Sequence, residues 1–112
     1  MGFYEGYKIF RELEGKIEIK NFMLSKGLIT ILGSQPLITI NNNLSLEEQV
    51  KTFIHELIHL EYKNWKHLTP GCLPEDHPAE IEIEKETQET YNNNPILVKH
   101  LREKLQEVRY KK

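Results

Sequence analysis

The sequence predicts a small α+β domain in which helices pack on a short β-sheet, and three patterns support this class. Two β-branched runs around a short polar turn predict a β-hairpin at residues 27–41. A capped amphipathic helix is predicted directly after the hairpin, at residues 45–62. Two further helical patterns follow at residues 79–91 and 95–112, so the helices outnumber the strands.

The chain of 112 residues suits a single domain with one hydrophobic core. In its N-terminal part, residues 1–26, apolar residues recur at three- and four-residue steps and predict a helix over residues 3–14. The alternating segment Lys16–Lys20 fits either a short strand or a turn into the hairpin. In the helix at 45–62, Ser45 and Glu48 form a capping box, in which each side chain binds the other residue's amide.

Composition and charge narrow the classes of function. The formal net charge is −2, so no overall positive field favours direct binding of nucleic acid. No apolar run is long enough to span a membrane, and no signal peptide is visible. Cys72 is the single cysteine, which excludes an internal disulfide and favours a reducing, cytoplasmic setting.

The predicted helix at 45–62 carries His55, Glu56 and His59 in the spacing His-Glu-x-x-His. Histidines four residues apart lie on one helical face, so both imidazoles can bind one metal ion. Zinc would lower the pKa of a bound water, and the adjacent Glu56 could take its proton and pass it to a leaving amine. The motif therefore predicts a zinc site for amide hydrolysis, with His55 and His59 as ligands and Glu56 as catalytic base. The alternative is a chance alignment of core histidines, which would leave polar groups buried at a cost.

A catalytic zinc usually has a third protein ligand, and a glutamate from the helix at 79–91 is the favoured source. Its predicted buried face runs near Glu80, Ile83, Glu84 and Thr87. Glu84 is preferred because Thr87, one turn further on, is small enough to pack against the zinc helix. Glu80 is the second choice, and three further candidates stay open: Glu82, His77 and Cys72.

From about residue 27 to residue 95 the chain resembles the ImmA/IrrE-like metallopeptidases. The resemblance rests on a hairpin that ends in Leu37–Asn41, the segment Thr52–His59 and the element Glu84–Gln88. It implies a small zincin-like domain of the gluzincin type, in which the zinc helix packs on a short sheet beside two C-terminal helices. It also implies Glu84 as the third zinc ligand.

The resemblance further implies a zinc-dependent endopeptidase that cuts a specific protein, such as a repressor or antitoxin of a phage or mobile element. The expected partner is therefore a DNA-binding regulator, because the chain is too short to include a helix-turn-helix domain of its own. Two alternatives stay open, a module that binds such a regulator without cutting it and a structural zinc domain with four ligands. Glu56 favours the enzyme, since a structural site has no use for a base. The oligomeric state is not indicated.

A peptidase of this kind needs to hold an extended peptide near its metal. The strand at Leu28–Leu32 is predicted to be an edge strand that binds the peptide by main-chain hydrogen bonds, whereas 37–40 is predicted to be the inner strand. The proline-rich loop at 67–78 lies between the two ligand-bearing helices and is predicted to set specificity, with Trp65 and Leu73 as apolar contacts.

Overall fold

The structure, a computed structural model, describes residues 2–21, 26–61 and 78–110, and these form four helices and a three-stranded sheet. In chain order the elements are α1 (Gly2–Glu12), β1 (Lys16–Lys20), β2 (Gly27–Leu32), β3 (Gln35–Asn41), α2 (Leu46–Glu61), α3 (Pro78–Asn93) and α4 (Pro95–Tyr110). The predicted α+β class is confirmed, and each predicted helix is present with ends that differ by a few residues. Among the described helices, none combines the length and the apolar character that a membrane span requires.

The sheet has β3 at its centre, in the order β1-β3-β2. The predicted hairpin is β2 and β3, which pair antiparallel around a turn at Gly33, whose φ of 66° suits glycine. The ambiguous segment Lys16–Lys20 is a strand, β1, and it pairs parallel with β3. Within the described part of the chain β2 is therefore an edge strand and β3 the inner strand, as predicted.

The register of the hairpin determines which amides of β2 face away from β3. Ile31 lies opposite Pro36, which has no N–H group, and Asn41 N donates to Lys26 O at 2.9 Å. Hydrogen-bonded pairs alternate along an antiparallel ladder, so the bonded positions of β2 include Leu28 and Thr30. The amides of the intervening residues, Ile29 and Ile31, consequently point toward the open edge of the sheet.

The helix α2 forms the centre of the core and contacts the other three helices, β2 and β3. The Ser45 half of the predicted capping box is present, because the Ser45 hydroxyl accepts a hydrogen bond from the amide of Glu48 at 3.2 Å. The Glu48 carboxylate lies 3.8 Å from the ammonium groups of both Lys26 and Lys51. The broad apolar stripe of α2 is fully buried, in residues Val50, Phe53, Ile54, Leu57, Ile58 and Leu60.

The helix α3 packs on α2 through a narrow face of mixed chemistry. Ile83, Thr87 and Thr90 are buried on that face, whereas Ile81 is 56% exposed. Steps of three and four residues continue this face back to Glu80, which points its carboxylate toward α2. The helix α4 buries its predicted stripe, with Val98, Leu101 and Leu105 in the core.

Candidate metal centre

The two histidines of α2 and a glutamate of α3 meet where these helices pack together. Glu80 Oε2 lies 2.8 Å from His55 Nε2, and Glu80 Oε1 lies 2.6 Å from His59 Nε2. Histidines one turn apart on α2 place their rings 5.0 Å apart, close enough for one carboxylate to contact both. The side chain of His59 is 4% exposed and that of Glu80 is 12% exposed, so the contacts are largely shielded from water.

Charge stabilises this cluster. Burial disfavours the charged form of His55, but hydrogen bonds to Glu80 and Glu84 outweigh it and raise the pKa of His55 to about 10. Partial burial likewise opposes the ionisation of Glu80. The hydrogen bonds of Glu80 to His55 and His59 outweigh this effect and lower its pKa to about 2. The contacts of Glu80 with His55 and His59 thus link α2 to α3.

The same three side chains have the donor atoms that a zinc ion requires. Within the described part of the chain, His55, His59 and Glu80 each offer one ligand atom, and these atoms all lie within 4.8 Å of one another. A tetrahedral ion about 2.0 Å from each donor would separate neighbouring donors by roughly 3.3 Å. The two contacts to Glu80 would have to lengthen by about 0.5 and 0.7 Å, and donors near the 4.8 Å limit would have to approach one another. Two imidazoles and one carboxylate with an open position are a ligand set found in zinc peptidases.

Glu84, the third ligand favoured by the sequence, lies on the other side of the His55 ring. Its Oε2 is 3.1 Å from His55 Nδ1, and its Oε1 accepts a hydrogen bond from Gln88 Nε2 at 3.0 Å. The hydrogen bond to His55 is the main cause that lowers the pKa of Glu84 to about 2, although 54% of its side chain is exposed. Glu84 as a ligand therefore stays a prediction, and the structure gives Glu80 the better position.

Glu56 lies between the two histidines in sequence and is buried, with 6% of its surface exposed. Burial raises the pKa of its carboxyl, and the positive charges of His55 and His59 act in the opposite direction. Since both imidazoles and Glu80 influence its ionisation, Glu56 is close to the cluster without being one of its three candidate ligands. The role of Glu56 as a catalytic base stays a prediction.

The structure therefore assembles most, but not all, of the predicted site. His55, His59 and Glu80 come together, and Glu80 continues the face of α3 on which Ile83, Thr87 and Thr90 are buried. Among the other candidates, Glu82 is exposed on α3. The remaining candidates, His77 and Cys72, lie outside the described residues. The same holds for most of the predicted specificity loop at 67–78 and for its predicted apolar contacts, Trp65 and Leu73.

No family model, no curated protein and no solved structure matches this chain. The resemblance to the ImmA/IrrE-like metallopeptidases remains an expectation from the sequence motifs. The functional assignment consequently depends on the positions of the side chains of α2 and α3 and on the chemistry that those side chains allow.

Proposed function

We propose that this chain is a zinc-dependent endopeptidase that hydrolyses peptide bonds of a specific protein. One observation carries the proposal, the convergence of His55, His59 and Glu80 beside the buried carboxylate of Glu56. A structural zinc site needs four protein ligands and no base, whereas a hydrolytic site needs three ligands and a base. The described residues offer three candidate ligands and a candidate base.

In this proposal His55, His59 and Glu80 hold the zinc, and Glu84 is not needed as a ligand. When bound, zinc lowers the pKa of a coordinated water to about 7 and polarises a peptide carbonyl. Glu56 removes a proton from the attacking water, holds it on its carboxylate and delivers it to the leaving amine. Burial raises the pKa of Glu56, which makes its carboxylate a stronger base than that of an exposed glutamate.

The sheet offers a place for the substrate. An extended peptide can add to an open sheet edge by main-chain hydrogen bonds, and β2 is such an edge within the described residues. The beginning of β2 is close to the metal centre, because Gly27 packs against Thr52 of α2 and the charge of Lys26 acts on Glu84. A peptide bound along β2 would therefore pass near the cluster.

Proline at Ile31 tests this placement. Ile31→Pro removes an amide that points to the open edge, and no ladder hydrogen bond is lost. The loss of one hydrogen bond of about 0.5–1.5 kcal/mol to the substrate should reduce kcat/KM about 2- to 13-fold for every substrate. Thr30→Pro is the matched control, because it removes a ladder donor and should instead lower the melting temperature. Unchanged kcat/KM in folded Ile31→Pro protein would exclude β2 as the peptide-binding edge.

The proposed substrate is a DNA-binding regulator in the cytoplasm, such as a repressor or antitoxin of a phage or mobile element. This part of the proposal comes from the resemblance of the sequence motifs, and the acidic formal charge of −2 agrees with binding to protein rather than to DNA. Specificity would depend on side chains outside β2, since main-chain pairing does not distinguish sequences.

The experiment that tests the function combines metal analysis with capture of a substrate. Glu56→Gln protein should retain one zinc per chain and bind a protein partner from a lysate without cutting it. Purified partner should then be cleaved by zinc-loaded wild-type protein and be protected by a chelator. Binding without cleavage by the wild type would instead identify the alternative, a zinc module that regulates by binding, and a protein that binds no zinc would exclude both.

A further inference from the structure

The two ring nitrogens of His55 have different carboxylate partners. Nε2 faces Glu80 at 2.8 Å, inside the candidate metal cluster, and Nδ1 faces Glu84 at 3.1 Å, outside it. An ionised carboxylate only accepts hydrogen bonds, so Nδ1 carries the proton of the contact with Glu84. A zinc ligand must offer a nitrogen without a proton, and Nε2 is the ring nitrogen that faces Glu80 inside the cluster, so zinc would displace the proton of Nε2 and leave that of Nδ1.

Glu84 is itself held in place from its other oxygen. Gln88 donates from Nε2 to Glu84 Oε1 at 3.0 Å, so the carboxylate is bound between an amide and an imidazole. Glu80, Glu84 and Gln88 follow one another at four-residue intervals on α3, which stacks their side chains along one helical edge. Helix α3 thus carries all three side chains. Glu80 is a candidate ligand, Glu84 contacts the candidate ligand His55, and Gln88 holds Glu84.

We propose that Glu84 is a positioning residue, which accepts a hydrogen bond from His55 Nδ1 and so keeps Nε2 directed at the metal, with Gln88 holding Glu84. This inference rests on the proposed zinc site of His55, His59 and Glu80. It assigns Glu84 a role different from the one that the sequence motifs imply, because the carboxylate contacts the metal ligand and not the metal.

The expected effect is moderate. Removal of a hydrogen-bond partner of a ligating histidine usually weakens metal binding about 10- to 100-fold. The Glu84 side chain is 54% exposed, and water competes for its hydrogen bonds, which favours the lower end of that range. Gln88 acts one step further from the metal, so its removal should weaken binding by less than about 10-fold.

The experiment measures zinc affinity by chelator competition in four variants of the full chain. Glu84→Ala should bind zinc about 10-fold more weakly than the wild type, and Gln88→Ala should show a smaller loss. Glu84→Gln should recover most of the loss, because its carbonyl oxygen still accepts from Nδ1. Glu82→Ala removes the same charge from an exposed position of α3 and should bind zinc as the wild type does.

A second readout separates positioning from a general loss of structure. In zinc-loaded wild-type protein the Nδ1 proton of His55 should give an NMR signal protected from exchange with water. That signal should be lost in Glu84→Ala and persist in Glu84→Gln, while the backbone spectrum of both variants remains that of the folded protein.

Two outcomes would overturn the inference while the proposed function survives. If Glu84→Ala and Glu84→Gln both weaken zinc binding by more than about 100-fold, Glu84 is a ligand, because a neutral amide is a poor substitute for a coordinating carboxylate. If Glu84→Ala binds zinc as tightly as the wild type, Glu84 does not position His55. A wild-type protein without measurable zinc affinity would overturn the proposed function, and this inference with it.

Discussion

Replacement of Glu80 by alanine tests the metal centre most directly, because Glu80 contacts both histidines. If Glu80 is the third ligand, Glu80→Ala leaves two ligands, which rarely hold zinc against water. The loss of zinc affinity should exceed the roughly 10- to 100-fold loss that is usual when a hydrogen-bond partner of a metal ligand is removed. Glu82→Ala is the matched control, since it removes the same charge from an exposed site two residues away.

Zinc binding stabilises the folded protein, so a loss of zinc affinity can be measured as a smaller rise in melting temperature. At a free zinc concentration about 100 times its dissociation constant, the wild type should gain about 2.7 kcal/mol of stability. A chain of this length shifts by roughly 4 °C for each kcal/mol, so zinc should raise the melting temperature by about 11 °C. A variant that binds at least 100-fold more weakly gains only about 0.4 kcal/mol at the same zinc concentration, or roughly 2 °C.

The assay is thermal unfolding of each variant with and without zinc, accompanied by metal analysis after gel filtration. Each variant serves as its own zinc-free reference, because Glu80→Ala also removes hydrogen bonds to His55 and His59 and lowers stability without zinc. A full 11 °C shift and one zinc per chain in Glu80→Ala would refute the ligand assignment. If Glu84→Ala abolished the shift in the same experiment, the sequence-based choice of third ligand would be the right one.

Three further predictions concern the zinc helix and its packing. His55→Ala and His59→Ala should each lose bound zinc and all hydrolysis, and stoichiometric zinc in the double variant would exclude the site. Glu56→Gln should keep zinc and fold but lower turnover about 100-fold or more, whereas loss of zinc would make Glu56 a ligand. Gly27→Ala should lower the free energy of unfolding in urea by about 1–3 kcal/mol, because its Cβ would overlap the Thr52 methyl group. Adding Thr52→Ser, which deletes that methyl group, should recover part of the loss, and full stability of Gly27→Ala alone would refute the overlap.

The sequence predicts the helices and the hairpin well because their signals are local. Ser45 and Glu48 mark the start of α2 within one turn, and the glycine at the hairpin turn has the positive φ that the turn requires. The segment Lys16–Lys20 is ambiguous by contrast. It becomes a strand by pairing parallel with β3, from Lys16 opposite Leu37 onward, and a partner about twenty residues away leaves no local pattern.

The third ligand depends on the rotation of α3, which local sequence determines less well. A shift of four residues keeps a side chain on nearly the same helical face, so Glu80 and Glu84 differ by only about 40° around the axis. That difference leaves Glu80 mostly buried and Glu84 54% exposed. Ile81 is exposed and Thr90 is buried, which shows how α3 is rotated about its axis. The preference for large apolar residues in cores predicts instead that Ile81 is buried and Thr90 is exposed.

The cluster of His55, His59 and Glu80 also has an explanation without metal, as ionic hydrogen bonds that join α2 to α3. Glu56 is a further carboxyl, which is buried and is not one of the three residues of the cluster. Burial raises the pKa of its carboxyl, so at neutral pH Glu56 lowers the stability of the folded protein. Strongly perturbed carboxyls beside other titratable groups are typical of catalytic sites, where such a cost is offset by function. The negative charge of Glu56 also raises the pKa of His55 and so supports the ion pairs, and the result that would mark Glu56 as a base is loss of turnover with zinc retained in Glu56→Gln.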